Sequence, residues 1–228
     1  MHSRITDVIF DLDGTLIDSA PSILACFAAV LEIQGIESTV PLTEALIGPP
    51  LRQTLCKLSG VEDGARLEAM IEDFKQHYDG SGYRATTVFA GVDQMLQELT
   101  SEGFRLHIAT NKRDRPTRLI LHHLGWSSLF CAVYASDSRQ PLFGSKAEML
   151  SALLKSENIS TSGAVYVGDR SDDWVAATEN ALEFIAATWG YRDALLLSRG
   201  EINRATSAKE ISSILAGFCS SADMGTAR

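Results

Sequence analysis

Acidic side chains stand in two places where an apolar run stops. The first is Asp11 and Asp13, within Val8-Ile9-Phe10-Asp11-Leu12-Asp13-Gly14-Thr15-Leu16. Apolar residues running straight into acids have the texture of a buried parallel strand that ends at an active-site edge. Side chains alternate along a strand, so Asp11 and Asp13 are expected to point one way, with Phe10 and Leu12 pointing the other. Two carboxylates aimed at one small volume repel unless a cation or a shared proton relieves them. Gly14 permits a sharp turn and leaves room for a ligand to approach the backbone. The bland alternative is a capped turn in which Asp13 bonds nearby amides.

The second place is Gly168-Asp169-Arg170-Ser171-Asp172-Asp173, three acids directly after the apolar run Ala164-Val165-Tyr166-Val167. Its bland alternative is a helix N-terminus whose acids complement the dipole. Two further segments offer groups suited to an anion. Thr110, Asn111 and Lys112 follow Ile108-Ala109 and bring a hydroxyl and amides fit for phosphate oxygens. Gly144-Ser145-Lys146 opens a helix, where a cation and amide donors converge. Alone, Thr110 reads as a capping residue and Lys146 as solvated surface.

The elements that must position these groups follow from periodicity. Asp18-Ser19-Ala20-Pro21 reads as a helix start. Helical spacing recurs through Ile23–Leu31, then over Pro50–Leu58 and over Leu67–Tyr78. Residues 17–83 are thus read as helical with no strand candidate, too long for an ordinary crossover, and so as an inserted helical cap. From Phe89 onward strands and helices alternate: strands at 105–109, 130–135, 163–168 and 184–187, helices at 92–99, from Pro116 to Gly125, at 146–157, about 173–181 and 209–218. Alternation of that kind predicts a doubly wound, Rossmann-like parallel sheet covered on both faces. The core is then 1–16 with 84–228, and the cap 17–83. The tail from Ser220 is small and polar and is expected to be disordered.

Composition bounds the rest. A chain of 228 residues can bury one full core or a core plus a small satellite. No run reaches the length of a membrane span, and the first twenty residues lack a signal peptide's order, so a cytoplasmic protein is expected. A net charge of −9 and the lack of a basic stripe argue against nucleic acid as a partner. Cys26, Cys56, Cys131 and Cys219 are scattered and fit buried thiols in a reducing compartment. His122 and His123 adjoin on a helix, face different directions and do not form a ligand pair.

In order and in strand-end placement, the four segments at Asp11, Thr110, Lys146 and Asp169 resemble the four motifs of the haloacid dehalogenase superfamily, in particular its phosphoglycolate phosphatase-like branch. The resemblance runs from Val8 to about Ile214 and includes Ala187-Thr188-Trp189-Gly190-Tyr191 and Gly48-Pro49-Pro50-Leu51-Arg52. It implies a phosphatase for small phosphate monoesters, 2-phosphoglycolate among them, working through an aspartyl-phosphate. Asp11 is then the nucleophile and Asp13 the general acid/base. Thr110, Asn111 and Lys146 hold the phosphoryl group, and Asp11, Asp13, Asp169 and Asp173 make the metal site, with Asp173 favoured over the adjacent Asp172. Arg113 stands where relatives carry proline, and Lys146 is followed by Ala147 instead of proline. Oxygen ligands without a full protein cage favour Mg²⁺. Arg52 is the cap residue that could pair with a substrate carboxylate, its bland reading being a solvated helix residue.

Rival readings share the fold. A dehalogenase has no use for the acid Asp13, and phosphonoacetaldehyde hydrolase also lacks it and needs a cap lysine. A 5'-nucleotidase, a sugar-phosphate phosphatase or a phosphomutase keeps both acids. A catalytically inactive binding module is the non-enzymatic alternative. Oligomeric state is not readable from the sequence.

Overall fold

The computed structural model describes residues 5–191, 193–200 and 202–223. Strand β1 (Asp7–Phe10) opens the chain. A short strand β2 (Ile17–Asp18) and the helices α1 (Ala20–Ile33), α2 (Leu51–Ser59) and α3 (Ala65–Gly80) follow. The chain returns through β3 (Thr87–Val88), α4 (Val92–Ser101), β4 (Arg105–Thr110), α5 (Asp114–His123) and β5 (Phe130–Ala135). It ends with α6 (Lys146–Ser156), β6 (Ala164–Gly168), α7 (Ser171–Glu179), β7 (Glu183–Ala187), α8 (Ala194–Leu197), β8 (Asn203–Ala205) and α9 (Ala208–Asp223).

Six strands form one sheet in the order β5-β4-β1-β6-β7-β8, every neighbouring pair parallel. Alternation along the central strands sends residues to two cores. Val8, Phe10, Ile108, Val165 and Val167 pack with α4, α5, α9 and the helices after β2, whereas Ile9, Ala109, Tyr166 and Ala186 pack against α6 and α7. Both faces are therefore apolar, which is why these strands read as continuous hydrophobic runs instead of alternating ones. The chain leaves β1 toward β4 and β5, then crosses back to β6. That reversal makes the carboxyl ends of β1, β4 and β6 the place where a ligand fits such a sheet.

The segment between β2 and β3 is helical, as its periodicity predicts, but the two strands bracketing it pair antiparallel, Ile17 with Val88 and Asp18 with Thr87. Two-residue strands carry no alternation to read, and the sequence reading of 17–83 as free of strands is corrected there. Helix α8 and strand β8 were likewise not expected. The C-terminal helix runs to Asp223 instead of giving way to a disordered tail at Ser220; residues 224–228 lie outside the described residues. Among the described residues no helix is long and apolar enough to cross a membrane. Among the described cysteine side chains Cys26 is buried, Cys56 half-buried and Cys131 exposed, against the expectation of buried thiols; the Cys219 side chain lies outside the described residues.

Candidate active site

Strand β1 stops at Phe10, and its ladder extends one residue further through the Asp11 amide, which donates to the Val167 carbonyl at 2.9 Å. The chain then coils: the amides of Thr15, Leu16 and Ile17 all donate to the Leu12 carbonyl. Gly14 sits at φ +87°, and a Cβ there would lie 2.3 Å from Asp169 Oδ2. Only glycine meets both demands, the left-handed backbone and the close approach of a carboxylate.

Asp11, Asp169 and Asp173 converge. Each offers a carboxylate oxygen, all within 4.8 Å of one another, and all three residues are buried. Asp173 is the third residue of α7 and is fixed by the Arg170 amide, which donates to its Oδ2 at 3.0 Å. Asp169 Oδ2 accepts from the Tyr191 amide at 3.0 Å, and its Oδ1 from Thr15 Oγ1 at 3.3 Å. Asp172, by contrast, is turned outward and accepts from Asn111 Nδ2 at 3.0 Å.

One cation faces this trio. Lys146, the first residue of α6, is buried, bonds Asp173 Oδ1 and lies 3.2 Å from Asp11 Oδ1. The Asp11 contact lacks hydrogen-bond alignment, and Asp11 Oδ1 is a buried oxygen with no hydrogen-bond partner. Three carboxylates against one ammonium leave an excess of negative charge. Burial pushes the Asp11 carboxyl up to about 7, with Asp173, Asp13 and Asp172 adding to the effect and Lys146 opposing it. Asp169 and Asp173 are raised for the same first reason, burial. Burial would lower the Lys146 ammonium, but the charges of Asp11 and Asp173 outweigh it and hold its value well above the ordinary one. An all-oxygen trio with a bare buried oxygen suits a hard dication, and Mg²⁺ fits because it accepts a few carboxylates and keeps waters.

Asp13 lies apart from this trio. Its carboxylate takes Lys112 Nζ at 3.0 Å on both oxygens and Ser19 Oγ at 2.5 Å on Oδ1. The alternation expected from a continuous strand fails because the strand ends at Phe10 and the chain coils. The Asp13 carboxylate thus stands beside a second cation and not within the trio. Lys112 is itself buried beneath the Tyr78 ring of α3, with its ammonium 4.7 Å from the ring centroid. Burial would lower the Lys112 ammonium; the Asp13 charge overcomes this and raises it.

Thr110, the last residue of β4, is buried, and its Oγ1 accepts from the Lys112 amide at 3.2 Å. Arg52 is not brought to the site. It projects from α2 to Glu68 and Asp63, with about half its side chain exposed. Two acids of its own helical segment pair with it.

Residues the motif reading overlooked hold the site together. Tyr191 Oη accepts from the amides of Ser19 at 2.8 Å and Ala20 at 2.9 Å, so a phenol supplies the N-terminal cap of α1 that Ser19, occupied with Asp13, does not. Gly190 lies against the turn at Gly14, where a Cβ would come within 1.9 Å of the Gly14 carbonyl oxygen. Arg113 forms two hydrogen bonds with Asp79 of α3, at 2.9 and 2.6 Å, and Arg170 donates to the carbonyls of Glu44 and Ile47. Both arginines tie the helical insertion to the sheet edge. Trp-Gly-Tyr at 189–191 was the signal for the first two, and the replacement of proline by Arg113 for the third; Arg170 carried none.

Residues 8–187 match the family described as haloacid dehalogenase-like hydrolase. The chain belongs to that family. Over 207 residues, 90% of this chain and 69% of the relative, it is 33% identical to the tyrosine-protein kinase PtkA of Mycobacterium tuberculosis. Over 188 residues, 81% of this chain and 84% of the relative, it is 34% identical to the phosphoglycolate phosphatase of Xanthomonas campestris pv. campestris. The crystal structure of a predicted phosphatase from Clostridium acetobutylicum superposes with a TM-score of 0.83 at 26% identity, covering 94% of this chain and 100% of that one. With the family and its phosphatase-named members, the activity of this hydrolase is that of a phosphatase.

Proposed function

We propose that this protein is a Mg²⁺-dependent phosphatase that hydrolyses small phosphate monoesters through a phosphorylated Asp11. The supporting observation is the convergence of Asp11, Asp169 and Asp173 with Lys146 at the carboxyl edge of the sheet, where Asp11 Oδ1 is buried and without a hydrogen-bond partner. Asp11, Asp169 and Asp173 would hold the metal, which when bound neutralises the carboxylates against an incoming phosphate dianion. Asp11 attacks phosphorus, and the ester P–O bond breaks as the new P–O bond forms. Asp13 gives a proton to the leaving oxygen and takes one from the water that cleaves the aspartyl-phosphate. Lys112 and Ser19 already occupy both Asp13 oxygens, so proton donation requires one of these contacts to open. Lys146 balances charge on the transferring group, with Thr110 and Asn111 as further donors at the same edge. The helices of 17–83 form a cap over this edge and, with Arg113 and Arg170 engaged, exclude bulk water.

A small cytoplasmic metabolite suits this reading. 2-Phosphoglycolate, the compound in the name of the Xanthomonas relative, is one candidate, but Arg52 is not placed to receive its carboxylate. The test is phosphate release from p-nitrophenyl phosphate with Mg²⁺, with chelator, and with Asp11→Asn. Activity that survives chelation or the Asp11→Asn exchange would overturn the proposal.

A further inference from the structure

Beside Asp13 lies a chamber of about 70 Å³, lined by residues of the helical insertion and of the sheet edge and by none of the carboxylate trio. At roughly 10–15 Å³ for each water-sized group, it has room for about five such groups, the bulk of one six-membered ring. Its position follows from chemistry. The group that protonates a leaving oxygen must touch that oxygen, so whatever is attached to the oxygen extends past Asp13 into this space.

The lining is mixed, with apolar side chains in the majority. Ile23, Phe27, Leu46, Ile47, Phe74 and Tyr78 are buried members of it, while Asp13, Asn111, Lys112 and Arg113 supply its polar part and the Tyr78 hydroxyl has no hydrogen-bond partner. Phe27 and Phe74 lie with ring centroids 4.7 Å apart, and Phe74 and Tyr78 stack at 5.6 Å, so aromatic faces form one wall. The two cations at the rim are both engaged. Lys112 is bonded to both Asp13 oxygens, and Arg113 is bonded twice to Asp79. A leaving group bearing a carboxylate or a second phosphate would have to draw Lys112 from Asp13 or Arg113 from Asp79 to find a counter-charge, since an unpaired buried charge is strongly disfavoured. An uncharged, apolar group meets no such obstacle.

We propose that the substrates of this enzyme are phosphate monoesters of uncharged apolar alcohols, with an alcohol portion about the size of an aromatic ring. This rests on the phosphatase reading above and adds the leaving-group chemistry to it.

The test is a panel for the full-length wild-type enzyme with Mg²⁺: benzyl phosphate, 2-phosphoglycolate, adenosine 5'-monophosphate and p-nitrophenyl phosphate. Benzyl phosphate and 2-phosphoglycolate both expel alkoxides, so their comparison reports the chamber more than the bond broken. The expected result is a kcat/KM for benzyl phosphate above that for 2-phosphoglycolate by roughly 10–200-fold, the usual worth of matched apolar contact in a pocket. The nucleotide, too large for the chamber, should trail both. A preference for 2-phosphoglycolate or for the nucleotide, in an enzyme that does hydrolyse p-nitrophenyl phosphate, overturns this inference and leaves the phosphatase reading standing. Failure on all four esters overturns both. Leu51→Arg adds a second readout, since Leu51 is a half-buried member of the lining at the start of α2. A cation there should lower benzyl phosphate turnover and raise that of 2-phosphoglycolate; if the variant does not fold, the wild-type ranking decides alone.

Discussion

Removing divalent cations should make the stability of this protein depend on pH in an unusual direction. Burial raises the Asp11 carboxyl from its ordinary 3.8 to about 7. The unfolded chain therefore releases this proton at much lower pH than the folded protein does. For a group whose folded value lies above its unfolded one, stability is highest below the unfolded value and falls as pH rises toward the folded one. That window spans roughly three pH units, and at about 1.4 kcal/mol per unit the full effect is about 4 kcal/mol. Applying the same linkage between pH 5.5 and pH 8 leaves about 2 kcal/mol within a convenient range, or roughly 4–8 °C in Tm for a chain of this size. Asp169 and Asp173, also raised by burial, act in the same direction. Asp7 and Asp193, whose values are lowered, change their contribution below this range and do not confuse it. The assay is thermal unfolding in chelator at both pH values, repeated with Mg²⁺ and with Asp11→Asn. Metal-free protein should be the more stable at pH 5.5; Mg²⁺ should raise Tm most at pH 8, and Asp11→Asn should flatten the slope. Equal Tm at the two pH values in chelator, or a slope unchanged in Asp11→Asn, would refute the electrostatic account of the trio.

Three other outcomes follow from the geometry. Asp13→Asn keeps the nucleophile and removes the proton donor, so turnover of alkyl esters should fall by roughly 10²–10⁴-fold, with a smaller loss on p-nitrophenyl phosphate; equal losses on both would remove Asp13 from that role. Gly190→Ala places a methyl group 1.9 Å from the Gly14 carbonyl oxygen and should cost at least about 1–3 kcal/mol in urea unfolding, as overpacking does, with activity lost in step. Arg52→Ala breaks an exposed pair with Glu68 and should leave both the urea midpoint and the ranking of substrates nearly unchanged; a reordered ranking would place Arg52 on the substrate path.

Much of this architecture is legible in the chain because parallel strands are buried on both faces. Val8-Ile9-Phe10 and Val165-Tyr166-Val167 could hardly be anything else, and the acids that follow each run lie at one edge once the strands are adjacent. The convergence of Asp11, Asp169 and Asp173 follows from that placement, whereas no local feature announces the burial of Lys146 at the start of α6. Other parts depend on partners distant in sequence. Asp13 and Lys112 are 99 residues apart, and no periodicity within either segment predicts their pairing. The surroundings of Arg52 are not legible either, because an arginine in a candidate cap says nothing about the acids beside it, Asp63 and Glu68, that pair with it. The strand pair Ile17–Asp18 with Thr87–Val88 and strand β8 (Asn203–Ala205) were too short to carry a pattern. The chamber beside Asp13 belongs to the packing of α1, α2 and α3 on the sheet edge and has no sequence signature of its own.

In the proposed reaction Asp11 carries the phosphoryl group in transit. Borohydride reduces an acyl phosphate to an alcohol but leaves a free carboxylate untouched, so quenching the enzyme during turnover converts a phosphorylated aspartate into homoserine. Peptide mass spectrometry of wild-type enzyme and of Asp13→Asn, quenched with substrate and Mg²⁺ present, should place homoserine at position 11 and at no other aspartate, with none formed when substrate or metal is withheld. Homoserine at Asp13, Asp169 or Asp173, or an unmodified Asp11 in an enzyme caught during turnover, would contradict the account.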